Sequence, residues 1–211
     1  NPEYFERIFR HWMFEICEKY EGVVAIDGKT IRGASKCTSS HPAGNPGFKL
    51  HMVSAWATAN GISLGQLKVN EKHNEIVAIP LLLEALDLTG CLVTIDAMGC
   101  QTDIAKKKIE CGADYVLALK ENHRNLYNTV KGWFDDLDKK NIDVNKAYYA
   151  TRYGKYITEE EAHGKHERRE CLVYSCQALT GMLKDWKGLK AVVRISSQRT
   201  IRTTGETTVN H

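Results

Sequence analysis

Apolar and polar positions along the chain fall into runs of two periods, and the switches between them outline a fold. Residues 1–20 set Phe5, Ile8, Phe9, Trp12, Met13 and Ile16 at spacings of three and four, the pattern of an amphipathic helix whose aromatic stripe belongs in a core. The β-branched run Val23-Val24-Ala25-Ile26 ends on Asp27 beside the turn former Gly28, and extended chain continues through Lys29-Thr30-Ile31-Arg32. Alternation over 48–59 and a run over 62–69, parted by Asn60-Gly61, predict a hairpin. Ile76, Ile79, Leu82, Leu83 and Leu86 form a helical stripe over 76–88, in which Pro80 fits only a first turn. A second apolar run, Cys91-Leu92-Val93-Thr94-Ile95, also ends on an aspartate, Asp96, before Ala97-Met98-Gly99. A helix over 102–111, a strand over 115–119 and a helix over 126–137 complete the order β-β-β-α-β-α-β-α.

Strands joined by helical crossovers run parallel, and strands joined by tight turns run antiparallel. The order therefore predicts an α/β protein with a mixed five-stranded sheet flanked by helices, in which strands one and four lie side by side. Asp27 and Asp96 then become neighbours at the ends of two rigid strands. Paired carboxylates of this kind offer hard oxygen ligands to a divalent cation, and the chemistry they suggest is metal-assisted phosphoryl transfer. Beyond Asp138 the composition turns polar, and strand-like runs at 171–176 and 189–195 predict a β-rich C-terminal insertion. The division read from these shifts is an N-terminal helix over 1–20, a core over 21–140 and the insertion over 141–211.

Composition narrows this picture modestly. With 211 residues, 43% of them hydrophobic, the chain can bury one good core plus a smaller appendage. A balance of 29 basic against 26 acidic residues gives +3, which neither demands nor excludes a polyanionic partner. Seven cysteines without a C-x-x-C pair read as reduced thiols of a cytoplasmic protein. No run approaches the ~20 apolar residues of a membrane span, so no membrane partner is expected. His51 and His73 have no second ligand at metal spacing and read as structural. Asp27-Gly28-Lys29-Thr30 resembles the first phosphate loop of actin-like and sugar-kinase-like ATPases, yet no second glycine-rich phosphate hairpin follows, and neither a Walker loop nor a G-x-G-x-x-G motif occurs.

Several ordered motifs carry a closer resemblance: Ala25-Ile26-Asp27-Gly28-Lys29-Thr30-Ile31-Arg32-Gly33, Asn74-Glu75-Ile76 with Ile79-Pro80, Val93-Thr94-Ile95-Asp96-Ala97-Met98-Gly99-Cys100-Gln101, Tyr115-Val116-Leu117-Ala118-Leu119-Lys120 and His163-Gly164-Lys165-His166-Glu167. Together they resemble the H-repeat-associated insertion-sequence transposases of bacteria, a branch of the DDE transposases with a ribonuclease-H-like core. The resemblance implies three carboxylates holding two Mg²⁺ (or Mn²⁺) ions about a DNA phosphate, one ion activating a nucleophile and the other stabilising the leaving oxygen. It implies DNA strand cleavage and strand transfer during transposition, and double-stranded DNA as partner, both transposon ends and target; a homodimer is compatible with it.

By this resemblance Asp27 and Asp96 are the first two catalytic carboxylates and the metal ligands. The third is expected in a later helix within a His-Trp-x-Ile-Glu-Asn pattern, which does not occur in the sequence. Glu167 is the one acidic residue downstream of Asp96 in a family-like motif and is the candidate in its place, against a plainer reading as a strand residue paired with Arg168 or Arg169. The chain reads as truncated at both ends, and without the expected glutamate it should bind metal weakly and not transpose DNA, as a DNA-binding remnant. Lys29, Arg32, Lys120, His163, Lys165, Arg168 and Arg169, with His166, form the basic set about this site and are the candidate phosphate contacts.

Overall fold

The structure, a computed structural model, describes residues 1, 4–5, 7–9, 11–12, 22–31, 50–69, 75–139, 153–179, 181 and 183–210. It divides into two compact units, one of residues 1–123 with 186–188 and one of residues 124–185 with 189–211. The first holds a mixed sheet of β1 (Val23–Ile31), β2 (Leu50–Ala57), β3 (Ile62–Val69), β4 (Leu92–Ile95) and β5 (Asp114–Leu117), in the order β3-β2-β1-β4-β5. β1 pairs antiparallel with β2 and parallel with β4, and β5 is parallel to β4. This is the ribonuclease-H-like arrangement that the crossovers predict.

Burial explains why the strands take this register. Val24 and Ile26 on β1, Val53, Ala55 and Ala57 on β2, and Val93 and Ile95 on β4 all turn to one face, where each is nearly or fully buried. Helix α1 (Glu75–Glu84) covers that face with Ala78, Ile79, Leu82 and Leu83. A buried leucine or isoleucine contributes about 1.5–3 kcal/mol, so Ile79, Leu82 and Leu83 fix the helix firmly. Helix α2 (Thr102–Glu110) adds Ile104 and Ala105 and is tied to α1 at the surface by Lys107 and Glu84.

Several expectations are corrected. Pro80 stands sixth in α1, past the first turn; its missing N–H deprives the carbonyl of Ile76, a residue on the exposed side where water can serve instead. Asp27 and Gly28 lie inside β1 rather than in a turn. Of the N-terminal aromatics read as core, Phe5 is 70% and Trp12 53% exposed, and half-buried Phe9 stacks on Phe5 and tilts against Trp12, with ring centres 6.1 Å apart in both pairs. The rest of the predicted N-terminal helix, Arg32, His73 and the loop with Lys36, His41 and Lys49 lie outside the described residues.

The second unit joins helix α3 (Arg124–Lys139) to an antiparallel sheet of β6 (Tyr153–Ala162), β7 (Lys165–Ser175), β8 (Ala191–Ile201) and β9 (Thr207–Asn210). This unit begins at Arg124, and α3 packs onto its sheet. Phe134 and Trp133 meet Tyr174 edge-on at 5.5 and 5.2 Å, and Arg194 holds Asp138 through two nitrogens at 2.7 and 3.0 Å. Phe134 is a core residue, as its stripe predicts, and Trp133 is half-buried beside it. The sequence runs at 171–176 and 189–195 fall on the end of β7 and the start of β8, whereas β6 is charged and mostly exposed and β9, Thr207-Thr208-Val209-Asn210, is short, uncharged and exposed, so neither stands out as an apolar run.

One polar group is buried at a cost. Lys108 on α2 has no exposed surface, its Nζ has no hydrogen-bond partner, and it lies 5.8 Å from the centre of the Tyr115 ring. Burial pulls its pKa from 10.5 down to about 7, opposed in part by Cys100, whose own thiol burial pushes up. Between those values the unfolded chain binds a proton that the folded chain does not, so stability rises with pH across that window and the penalty is complete below it. Lys108→Met is expected to raise stability at neutral pH by on the order of 1–4 kcal/mol and to flatten the rise with pH. Urea midpoints measured at intervals from neutral to alkaline pH test this, and an unchanged pH profile would refute it.

Candidate metal and phosphate site

Asp27 and Asp96 owe their placement to the β1–β4 ladder. Val24 pairs with Val93 and Ile26 with Ile95, so the two aspartates are the next residues on adjacent parallel strands. Since Ile26 and Ile95 face the core, alternation turns Asp27 to the opposite face, where it is exposed, and β4 ends just as Asp96 emerges into solvent. The register thus brings together two carboxylates separated by most of the first unit's sequence.

The backbone beyond Asp96 is braced. Its Oδ1 accepts from the Met98 N–H at 3.1 Å, capping a 3-10 turn over Ala97–Gly99. Asn122 Nδ2 donates to the Ala97 carbonyl at 2.7 Å, and the Ala118 N–H donates to the Ile95 carbonyl at 3.2 Å, so the segment after β5 holds this turn too. Across β1, Ser54 is paired with Asp27 and its hydroxyl donates to the Asp27 carbonyl at 3.5 Å. His51 is buried and shares a 2.8 Å hydrogen bond with Thr30, the structural role expected of it.

The basic candidates separate into two groups. Lys29 and Lys120 are exposed in the first unit, on β1 and just after β5. His163 and Gly164, both with positive φ, form the two-residue turn of the β6–β7 hairpin, and Lys165 opens β7 beside them. Arg168 and Arg169 are engaged with carboxylates: Arg168 reaches Glu159 at 3.5 Å and Glu170 at 3.2 Å, and Arg169 reaches Glu160 at 3.3 Å and Glu167 at 3.1 Å. Glu170, held chiefly by Lys155 and also by Arg168, has its carboxyl below the usual range.

Glu167 lies in the second unit on β7 and is itself engaged by two guanidiniums, Arg169 at 3.1 Å and Arg199 at 3.3 Å. This is the ion-paired strand position that the plainer reading describes. Among the described residues no three His, Cys, Asp or Glu side chains gather into a group able to hold a metal ion. Asp27 and Asp96 still suit a hard cation such as Mg²⁺, which keeps several waters and needs only one or two carboxylates. The pattern reading quoted Glu75 in a motif without giving it a role and missed Asn122. The sequence signal that could have marked Glu75 is a carboxylate opening a helical stripe after a polar segment.

Residues 19–201 match the family model described as "Transposase DDE domain". The chain belongs to the DDE transposases. It is 42% identical over 188 residues to "Putative transposase YncI" of Escherichia coli O157:H7, covering 88% of this chain and 44% of that protein. It is 34% identical over 204 residues to "H repeat-associated putative transposase YhhI" of Escherichia coli K12, covering 95% of this chain and 50% of that one. The chain thus spans about half the length of these relatives. A solved piggyBac transposase synaptic complex with hairpin DNA aligns at a TM-score of 0.35 and 12% identity over 82% of this chain and 32% of that one, a likeness too slight to carry argument. Membership of the DDE transposases decides against the actin-like or sugar-kinase-like ATPase reading, which rests on the Asp27-Gly28-Lys29-Thr30 likeness. No helix among the described residues is long and apolar enough to cross a membrane.

The Asp96 cap makes the turn testable apart from any chemistry. Asp96→Ala is expected to cost about 1 kcal/mol of stability and Asp96→Asn only a few tenths, because Asn caps as Asp does. Equal shifts in denaturant midpoint would show that the cap does not hold the turn.

Proposed function

We propose that this chain is the catalytic-core portion of a DDE transposase, in which Asp27 and Asp96 hold Mg²⁺ or Mn²⁺ against a DNA phosphate for strand cleavage and strand transfer at transposon ends. The observation that carries the reading is the β1–β4 register, which makes these two carboxylates neighbours on parallel strands. When bound, the cation would supply Lewis-acid stabilisation of charge at phosphorus and activation of the attacking oxygen. The chain's own part is to fix the two carboxylates on rigid strand ends, to cap the Asp96 turn and to offer cationic side chains to the backbone of double-stranded DNA.

Lys29, Lys120, His163 and Lys165 are the phosphate contacts this reading favours, with Arg32 beside them in sequence. Arg168 and Arg169 would have to leave their glutamates first, and Glu167 its two arginines before it could serve as third carboxylate. That double engagement supports the reading of this polypeptide as one that binds metal and DNA without cleaving by itself. The cysteines at 91, 100, 111, 171 and 176 are all free thiols, which fits a reducing, cytoplasmic setting.

Calorimetric titration with Mn²⁺ should give weak binding that Asp27→Asn or Asp96→Asn each weakens by about tenfold or more. Unchanged binding in both variants would refute the site. Binding to duplex DNA of arbitrary sequence should weaken with salt, and Lys29→Ala and Lys120→Ala should each lower the slope of log K against log salt by about 1. Full-slope binding by both variants would remove these lysines from the interface.

A further inference from the structure

Glu75, the first residue of α1, is only 7% exposed, an unusual state for a carboxylate. Its carboxylate lies against a glycine. Gly28 lies inside β1 and is absent from the residues with positive φ, so its backbone is one that any residue could adopt. What a side chain there would meet is Glu75: a Cβ at position 28 would lie 2.6 to 2.9 Å from the Glu75 carboxylate atoms, so the end of that side chain would have to move aside. Gly28 pairs with Val53 and follows the buried Ile26 by two, so the carboxylate presses on the core face of β1, directly behind Asp27.

One turn further along α1, Ile79 lies against the 3-10 turn that follows the second aspartate. A Cβ at Gly99, which closes the 3-10 turn capped by Asp96, would run into Ile95 and come within 3.6 Å of Ile79 Cδ1. Glu75 and Ile79 are spaced i, i+4 and share one face of the helix. Helix α1 therefore touches the backbone beside both aspartates through consecutive turns of one rigid element.

We propose that Glu75 is a positioning residue of the Asp27–Asp96 site: its carboxylate fills the space left by Gly28 and, with Ile79, makes α1 a bracket that sets the two aspartates' spacing. The proposal rests on the reading of those aspartates as cation ligands. Glu75 acts by shape through β1, not as a ligand, and Gly28 is its complement.

The test is Mn²⁺ affinity of the whole chain, read alongside thermal unfolding. Gly28→Ala is expected to weaken Mn²⁺ binding by about tenfold, because the new methyl displaces Glu75 and shifts the strand end. In a Glu75→Ala background, where the space is free, the same methyl should cost threefold at most, a coupling expected only of residues in direct contact. Glu75→Gln, equal in shape, should keep wild-type affinity while Glu75→Ala loses about tenfold; this pair carries the test if Gly28→Ala does not fold. Equal losses for Gly28→Ala in both backgrounds, or equal losses for Glu75→Gln and Glu75→Ala, would overturn the positioning role. Asp27→Asn separates the two claims, since undiminished Mn²⁺ binding there sinks the cation site itself.

Discussion

The parallel pairing of β1 with β4, in the register that sets Ile26 beside Ile95, is the constraint from which the first unit's organisation follows. Side chains on a strand alternate with a period of two, so a slip of one residue would turn Asp27 into the core and Ile26 to solvent. The cost of that exchange, a buried unpaired carboxylate against a lost isoleucine, makes the register close to obligatory. Neighbouring aspartates are thus a by-product of core packing. No interaction between the carboxylates is needed to bring them there.

The same core tolerates two polar side chains that ordinary packing would exclude. Lys108 is buried without a hydrogen-bond partner beside Cys100 and Tyr115. Glu75 is buried against a glycine. Their settings differ. Glu75 sits in the first turn of a helix, where the peptide dipoles favour negative charge, and its contact is with backbone beside Asp27. Lys108 has no such compensation, and the structure assigns it no part in the site. An unpartnered buried cation such as Lys108 lowers stability.

Charge in the second unit is spent largely within it. Glu160, Glu167 and Arg199 stand in one cross-strand row, with Arg169 two residues along β7 bridging Glu160 and Glu167, while Lys155, Glu159, Arg168 and Glu170 make a comparable set on the other face. Exposed pairs of this type are worth about 0–1 kcal/mol each, but they neutralise the arginines that a linear reading counts as a basic cluster. Sequence adjacency overstates the positive field because strand pairing supplies each arginine with a glutamate. His163 and Lys165 escape this only because they stand at or beside the hairpin turn.

The strand order, the parallel and antiparallel senses, and the neighbouring strand positions of Asp27 and Asp96 were legible in the sequence, because hydrophobic period and connection length are local properties that few topologies satisfy. The motif resemblance to DDE transposases was likewise legible, being written in ordered residues. Only the tertiary structure decided that Pro80 lies within a helix, that Phe5 and Trp12 are exposed, that α3 belongs with the second sheet, and that Glu167 is occupied by arginines. Each depends on which surface faces which, and no linear pattern encodes that. The role of Gly28 shows the difference most clearly. In sequence it follows an aspartate and reads as a turn, whereas in the fold it is a strand residue set against a carboxylate 47 positions away. Close packing is a property of three-dimensional neighbours, and it becomes visible only when they are in place.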